Sequence, residues 1–329
     1  MARSYTGIDI GSNALKIAVC EGGAVRALAV EALPEGLMDG QRIVSHDAMA
    51  DFLKRTVKAQ GGVAKDVALV LPSDYSLVRR MEMPVMDHKE LVLNLPFEFH
   101  DFIEQGKDRY FYDYAVLGPV LNDQSQLSGM DVLACAAPKD VIVDFGRMLS
   151  RAGLRLRTAL PAVAALQDAL ERSESAQQDC CVIDFAHRHT RLHFFARGRY
   201  DVTRTIELGG RDVDRAIAEE MGVEEHLANE YKISNFKECL QLQRPGQVFE
   251  TMAVEITRAL NFYGFNNPEQ ELTCAYCVGG GANLGELVAL LEQELPLPLL
   301  PVSSLLGSQP QDEFLAACAA AVGATLKAE

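Results

Sequence analysis

The feature that most constrains this chain is an internal echo. Ile8-Asp9-Ile10-Gly11 and Ile183-Asp184-Phe185-Ala186 each sit between the first two strands of a predicted hairpin, and a third strand follows each hairpin, near residues 25–30 and 201–207. A chain that begins the same way twice is expected to fold as two related halves, and two such halves imply a cleft between them. Its 329 residues suit that division, since a single hydrophobic core rarely grows so large.

Composition narrows the function classes. With 48% hydrophobic and 23% charged residues the chain reads as a globular protein, and 31 basic against 46 acidic residues leave a formal charge of −15. That balance argues against a sequence-independent grip on nucleic acid or anionic lipid. No apolar run of about 18 residues occurs, and Met1-Ala-Arg-Ser-Tyr5 leads straight into a strand without a signal-peptide core, so a cytoplasmic location is expected. The eight cysteines are scattered through apolar stretches, as buried reduced thiols are. Cys274-Ala-Tyr-Cys277 falls in a predicted strand, where positions i and i+3 point to opposite faces, which does not suit a metal or redox pair. No Gly-x-Ser-x-Gly elbow is present and no His-x-x-x-His pair falls on a predicted helix, so neither acyl transfer nor a helical metal site is indicated.

Between the two echoes, Ser45 is placed to cap a helix ended by Gly61-Gly62, and residues 67–71 read as a buried strand. Residues 84–153 have a different texture: Asp87 and Glu90 form a capping-box pair, a helix stops near Pro96, an aromatic strand follows at 110–114, another at 131–136, and a helix runs from 139 to Gly153. This block reads as an insertion, after which a helix at 161–170 returns to the first half. In the second half a charged helical stretch follows Gly209-Gly210. A long amphipathic helix then carries Met252, Ile256, Leu260 and Tyr263, a strand at 274–278 enters Gly279-Gly280-Gly281, and an apolar helix spans about 312–326.

Phosphate oxygens need a close approach of backbone N–H groups, which small residues at a turn permit. Gly11-Ser12-Asn13 meets that need, with Asp9 placed to hold the water shell of Mg²⁺ and Lys16 on the following strand. Gly279-Gly280-Gly281, where a strand feeds a helix, is a second such place.

These segments in their order, with Leu208-Gly-Gly-Arg-Asp-Val213, Ala228-Asn-Glu-Tyr-Lys232 and Val278-Gly-Gly-Gly-Ala-Asn-Leu284, resemble the actin-like ATPase superfamily. Within it the chain is similar to the PilM family of type IV pilus assembly proteins, through Val70-Leu-Pro72, Arg79 to Pro84, Leu95-Pro-Phe97, Asp113-Tyr114, Ala152-Gly153-Leu154 and Leu260-Asn-Phe262. The resemblance implies an α/β, duplicated ribonuclease H-like fold with an inserted FtsA-type 1C subdomain. Its expected parts are 1A at 1–83 and 154–178, 1C at 84–153, 2A at 179–210 and 261–329, and 2B at 211–260.

It also implies ATP and Mg²⁺ as cofactors. Gly11, Ser12 and Asn13 would form the first phosphate loop, beside Asp9 and Lys16, and the 184–190 turn, with Asp184 and Thr190, would form the second. Asp9 and Asp184 would hold Mg²⁺ through water. Asn229 and Lys232 would flank the nucleoside, and Gly279, Gly280 and Gly281 would lie against the base and ribose. The implied partner is the cytoplasmic N-terminal peptide of a PilN-like inner-membrane protein, docked between the first subdomain and the inserted one, so that the protein reaches the membrane through that partner.

Three departures bear on turnover. Ala186 replaces the usual glycine of the second loop, whose His187-Arg188-His189 are bulky and basic; Asn229 replaces an acid; and Ala159 and Pro161 stand where relatives carry water-orienting acids on an inter-domain helix. Nucleotide binding with weak or absent hydrolysis is the expectation. An FtsA-like division scaffold, a degenerate fold without nucleotide turnover and a small-molecule kinase of the same superfamily are the alternatives.

Overall fold

The computed structural model describes residues 3–173, 177–307 and 312–328. The chain opens with β1 (Ser4–Ile10), β2 (Ala14–Glu21) and β3 (Ala24–Ala32), then a small hairpin of β4 (Met38–Asp39) and β5 (Arg42–Ile43), helix α1 (His46–Ala59) and β6 (Asp66–Leu71). Next come β7 (Leu77–Met83), α2 (His88–Glu98), β8 (Tyr110–Leu121) and β9 (Leu127–Pro138), followed by α3 (Lys139–Arg151), β10 (Arg155–Pro161) and α4 (Ala162–Glu171). The second half holds β11 (Cys180–Phe185), β12 (Thr190–Ala196), β13 (Arg199–Ile206), α5 (Gly210–Met221), α6 (Glu225–Ser234), α7 (Gln243–Asn266) and β14 (Cys274–Gly279). It ends with α8 (Gly285–Glu294), β15 (Leu299–Leu300), α9 (Val302–Leu305) and α10 (Ala319–Ala328).

The echo is structural. One sheet has the order β3-β2-β1-β6-β10 and the other β13-β12-β11-β14-β15. In each, three antiparallel strands lead and two strands parallel to the first complete the sheet. Central strands buried on both faces need apolar side chains throughout, which is why Val67 to Leu71 and Cys180 to Ile183 show no alternation. Two glycines let the layers approach. A Cβ on Gly7 would stand 1.9 Å from the Ala321 carbonyl oxygen of α10, and one on Gly323 would stand 2.2 Å from the Ala165 carbonyl oxygen of α4.

Local signals act as expected at α1, where Ser45 accepts from the Ala48 amide at 3.2 Å, and at α2, where Asp87 and Glu90 cap reciprocally. Pro96 does not stop α2. It sits inside the helix, which runs on to Glu98, since losing one N–H donor leaves the later bond from the Phe99 amide to Leu95 intact.

Three boundaries differ from expectation. The inserted sheet has the order β7-β9-β8, so Leu77–Met83 belongs with the insertion through its ladder to β9 and not with the first half. Helix α3 packs its Phe145, Met148 and Leu149 into the first half's core beside Met49 and Leu53 of α1, so the insertion closes at β9. The last helix starts at Ala319, after turns, and crosses back: its Ala324 packs with Ala68, Val70 and Leu160 of the first sheet. Its small apolar residues fit the narrow space between that sheet and α4.

The largest shared core joins the parts. Leu117 and Leu133 of the insertion pack there with Leu166 of α4, Phe195 and Tyr200 of the second sheet and Val322 of α10. The cleft therefore has a firm apolar floor.

Candidate functional site

A cleft of about 870 Å³ opens between the halves. Asp9, Gly11, Ser12, Asn13 and Lys16 line it from the first half, and Asp184, Asn229, Lys232, Gly279, Gly280 and Gly281 from the second. Thr190 is the exception among the expected residues. It is fully buried at the start of β12, where its hydroxyl donates to the Leu208 carbonyl at 2.9 Å and braces the approach to α5.

The first turn is compact. The Gly11 amide donates to the Ala14 carbonyl at 3.0 Å, which turns the tip of the loop, Ser12-Asn13, into the cleft. Lys16 Nζ lies 2.9 Å from Asp9 Oδ2. Burial pushes the Lys16 ammonium down, but Asp9 and the more distant Asp184 outweigh it and leave its pKa above the ordinary lysine value. Burial also raises the Asp184 carboxyl, with Arg191 and Lys16 acting against it. Two carboxylates thus face the Lys16 ammonium, and the Arg191 guanidinium acts on Asp184 as well. Among the described residues no three His, Cys, Asp or Glu side chains converge to ligate a metal directly, so these two would act through water.

The second turn repeats the first residue for residue. Asp9 faces Lys16 across β1 and β2, and Asp184 faces Arg191 across β11 and β12, each pair seven positions apart. The Ala186 amide donates to the His189 carbonyl at 3.1 Å, as Gly11 does to Ala14. The side chains differ. Gly209 makes room for the bulky loop, since a Cβ there would lie 2.6 to 2.7 Å from the backbone of His187, Arg188 and His189.

From this turn the second half reaches the first. Arg188 runs so close to the β4–β5 hairpin that a Cβ on Gly40 would lie 2.6 Å from its Nη1. His189 Nε2 lies 3.2 Å from Gln41 Nε2, which makes that imidazole nitrogen the acceptor, and Arg191 donates to the Ser73 hydroxyl at 2.7 Å. Burial, with Arg191 second, lowers the His189 pKa. Asn13 Nδ2 donates to Asn229 Oδ1 at 3.3 Å, a further bridge across the cleft.

Lys232 is held by a residue the sequence reading passed over. Its Nζ lies 2.7 Å from Asp214 Oδ1 and 3.1 Å from the Gly210 carbonyl. Asp214, 2% exposed on α5, also approaches His187 Nδ1 at 3.7 Å. Burial and the neighbouring Lys232, Arg211 and Arg188 lower the His187 pKa to about 4, so that imidazole is neutral near pH 7. The available signal was spacing: Asp214 stands between Gly210 and Ala218 on one helical face, an acid where the pattern calls for an apolar residue. Gln41 and Ser73 left no such signal, because they lie in turns far from the echo, whereas Arg191 stands seven residues after Asp184 as Lys16 does after Asp9.

The glycine turn has divided roles. Gly279 has φ of +82°, and a Cβ there would meet Asp184 Oδ1 at 2.5 Å and the Phe185 carbonyl oxygen at 2.6 Å. Gly281 packs on the Phe185 side chain, 2.7 Å from where its Cβ would be, whereas a Cβ on Gly280 would meet nothing within 4 Å. The nearby Cys274 and Cys277 point to opposite faces, one into the shared core and one toward the second half's helices, and burial pushes the Cys277 thiol up to about 12. Ala159 and Pro161 are on β10 and not on a helix, with Pro161 lining the cleft just ahead of α4.

Residues 7–308 match the family described as "Type IV pilus assembly protein PilM". Among solved structures, a "PilM-PilN type IV pilus biogenesis complex" is 23% identical over 100% of this chain and 99% of that one, with a TM-score of 0.83. The ethanolamine utilization protein EutJ from Carboxydothermus hydrogenoformans is 15% identical over 98% of this chain and 89% of that one, with a TM-score of 0.62. The activator of the 2-hydroxyisocaproyl-CoA dehydratase from Clostridium difficile, with bound ADPNP, is 12% identical over 99% and 94%, with a TM-score of 0.51. A comparison with curated proteins gives no match. The duplicated sheets and these neighbours establish the actin-like ATPase fold.

Proposed function

The chain belongs to the type IV pilus assembly protein PilM family, and from that premise we propose that it binds ATP with Mg²⁺ between its halves and docks the N-terminal peptide of a PilN-like inner-membrane protein. The observation that carries the nucleotide reading is the convergence, in one cleft, of the expected residues other than Thr190. Ser12 and Asn13 offer the first turn to phosphate oxygens, and Asp9 and Asp184 hold hydrated Mg²⁺ through its waters. When bound, Mg²⁺ supplies charge neutralisation to the phosphates. Arg188, at the second turn, adds a cation from the protein itself. Lys232 is spoken for by buried Asp214, so its part is to fix α6 beside the nucleoside.

Hydrolysis is weak or absent in this reading. Pro161 lines the cleft without a polar side chain, Asp9 is engaged by Lys16, and an attacking water needs an orienting acceptor. A cleft that binds without rapid turnover suits a scaffold.

The peptide reading rests on the insertion. Leu93 and Phe97 of α2, Phe102 beyond it and Phe111 of β8 are exposed apolar side chains, and Arg79 and Lys107 lie 3.5 Å over the Phe102 and Phe97 rings. Such a surface suits a short peptide with apolar anchors. Among the described residues no helix is long and apolar enough to cross a membrane, and the proposed partner supplies the attachment.

Two measurements test this. Isothermal titration with Mg-ATP is expected to give one saturable site, and no binding would remove the nucleotide reading. Pull-down from a native lysate is expected to recover a bitopic pilus protein, and recovery of only division proteins would remove the partner reading.

A further inference from the structure

The second turn meets the first half at the β4–β5 hairpin and at Ser73. That hairpin has a ladder of only two rungs, Met38 with Ile43 and Asp39 with Arg42, too short to support itself. Its base is anchored, since Leu37 and Ile43 are buried in the first half's core. Its tip, Gly40-Gln41, is half-buried although the flanking Asp39 and Arg42 are exposed, and the second turn is what shields it. The position of the tip therefore depends on the other half.

The contacts form a chain of hydrogen bonds that leaves the second half and returns to it. Arg191 donates to the Ser73 hydroxyl at 2.7 Å, Ser73 donates to Gln41 Oε1 at 2.9 Å, and Gln41 Nε2 lies 3.2 Å from His189 Nε2. A guanidinium can only donate, so the later roles follow. The Ser73 oxygen accepts, its proton goes to the Gln41 carbonyl oxygen, and the Gln41 amino group is left for the imidazole. Beside this chain the Arg188 guanidinium lies against the tip, where Gly40 has φ of +62° and no Cβ to obstruct it. Gly36, with φ of +75° and open space around it, precedes the hairpin and gives it a place to turn.

We propose that the β4–β5 hairpin is a strap fastened to the second turn through Gln41 and Ser73, and that its unfastening sets how fast a bound nucleotide leaves the cleft. Gln41, Arg188, His189 and Arg191 line the cleft and also line a second, polar cavity of about 480 Å³, whose other walls include Asp74, Glu207, Arg211 and Arg215. The fastened strap is thus part of the wall between the two cavities, and opening it joins them. A short element held at its far end by a few hydrogen bonds is the kind that opens locally while the fold stays intact. The strap stands on its own contacts, and its effect on exit rests on the nucleotide reading.

The test reads amide hydrogen exchange at residues 36–44 and 186–191 of the full chain beside stopped-flow dissociation of a fluorescent ATP analogue chased with unlabelled Mg-ATP. Gln41→Ala and Ser73→Ala are each expected to raise exchange in both segments, although each change lies in the first half alone. Each is also expected to hasten dissociation ~5-fold, the worth of one neutral hydrogen bond. Ser73→Thr keeps the hydroxyl and is expected to behave as the wild type, and Arg42→Ala, on the exposed side of the same hairpin, is expected to change neither readout. Wild-type dissociation rates in both alanine variants overturn the inference and leave the nucleotide reading standing. Unchanged exchange at 186–191 overturns the strap whether or not nucleotide binds. Failure of the wild type to bind the analogue overturns the nucleotide reading and the effect on exit together, and the exchange data then judge the strap alone.

Discussion

The two turns at the cleft share a skeleton and differ in their means. Both place an acid at the end of the first strand, a base seven residues on in register with it, and one amide-to-carbonyl bond closing the tip. In the first turn the base stays home: Lys16 neutralises Asp9, the tip residues are small, and the loop can meet an anion with backbone alone. In the second, Arg191 leaves the acid for Ser73 across the cleft, and His187, Arg188 and His189 fill the space that a glycine loop would leave open. In the proposed reading the second half exchanges recognition by bare backbone for recognition by side-chain charge, and Gly209 makes room for the bulky loop.

If that is right, the two turns respond differently to the same added methyl. Gly209→Ala drives a Cβ against loop backbone at 2.6 Å, and such overpacking costs about 1–3 kcal/mol. A Cβ on Gly11 meets the flexible end of Lys16 at 3.0 Å and the Ala14 carbonyl oxygen at 3.1 Å, a milder crowding than at Gly209, so Gly11→Ala is expected to cost about 1 kcal/mol and to act mainly on nucleotide affinity. Urea unfolding of the two variants, read beside nucleotide titration, checks the contrast. Equal stability losses would mean that the turns are equivalent after all.

One pH effect lies in the second half. His193, 3% exposed on β12, has its Nδ1 2.8 Å from the Thr203 hydroxyl, and burial lowers its pKa to about 3. The unfolded chain binds this proton near the ordinary 6.5, so stability is full above that value and declines as pH falls from there toward 3. At pH 5 this one group removes roughly 2 kcal/mol. Asp184 and Asp214, which burial raises, act in the opposite sense, so the clean reading is a difference. The fall in unfolding free energy between pH 7.5 and 5 is expected to be smaller in His193→Gln than in the wild type, and an equal fall would contradict it.

What was legible in the sequence was whatever a local pattern encodes. The echo, the capped helices α1 and α2, and the glycine turn could be read because a carboxylate, a cap or a small residue does its work within a few positions of itself. The crossing of α10 to the first sheet, the pairing of β7 with β9 and the grip of Asp214 on Lys232 could not, because each depends on what another part of the chain presents. Thr190 shows the limit within one motif. A hydroxyl beside a phosphate loop reads as a ligand group, and only the sheet shows it turned to the Leu208 carbonyl.

A smaller effect is expected at the cross-cleft amide pair. Asn13→Ala removes one neutral hydrogen bond, worth about 1 kcal/mol, from a bridge across the cleft that the proposed nucleotide would have to part. Stability is expected to change little, and nucleotide association measured by stopped flow is expected to quicken by a few-fold. Unchanged association would show that the bridge does not limit entry.

The most direct test of the exchange between the turns is isothermal titration of Mg-ATP into the wild type and Arg188→Glu. A charge-assisted contact of about 1.5–3 kcal/mol predicts a loss of ~10- to 100-fold on reversal, with the fold intact by circular dichroism. Equal affinity in the two proteins would contradict the account, leaving Arg188 a solvated side chain and the second turn without a part in binding.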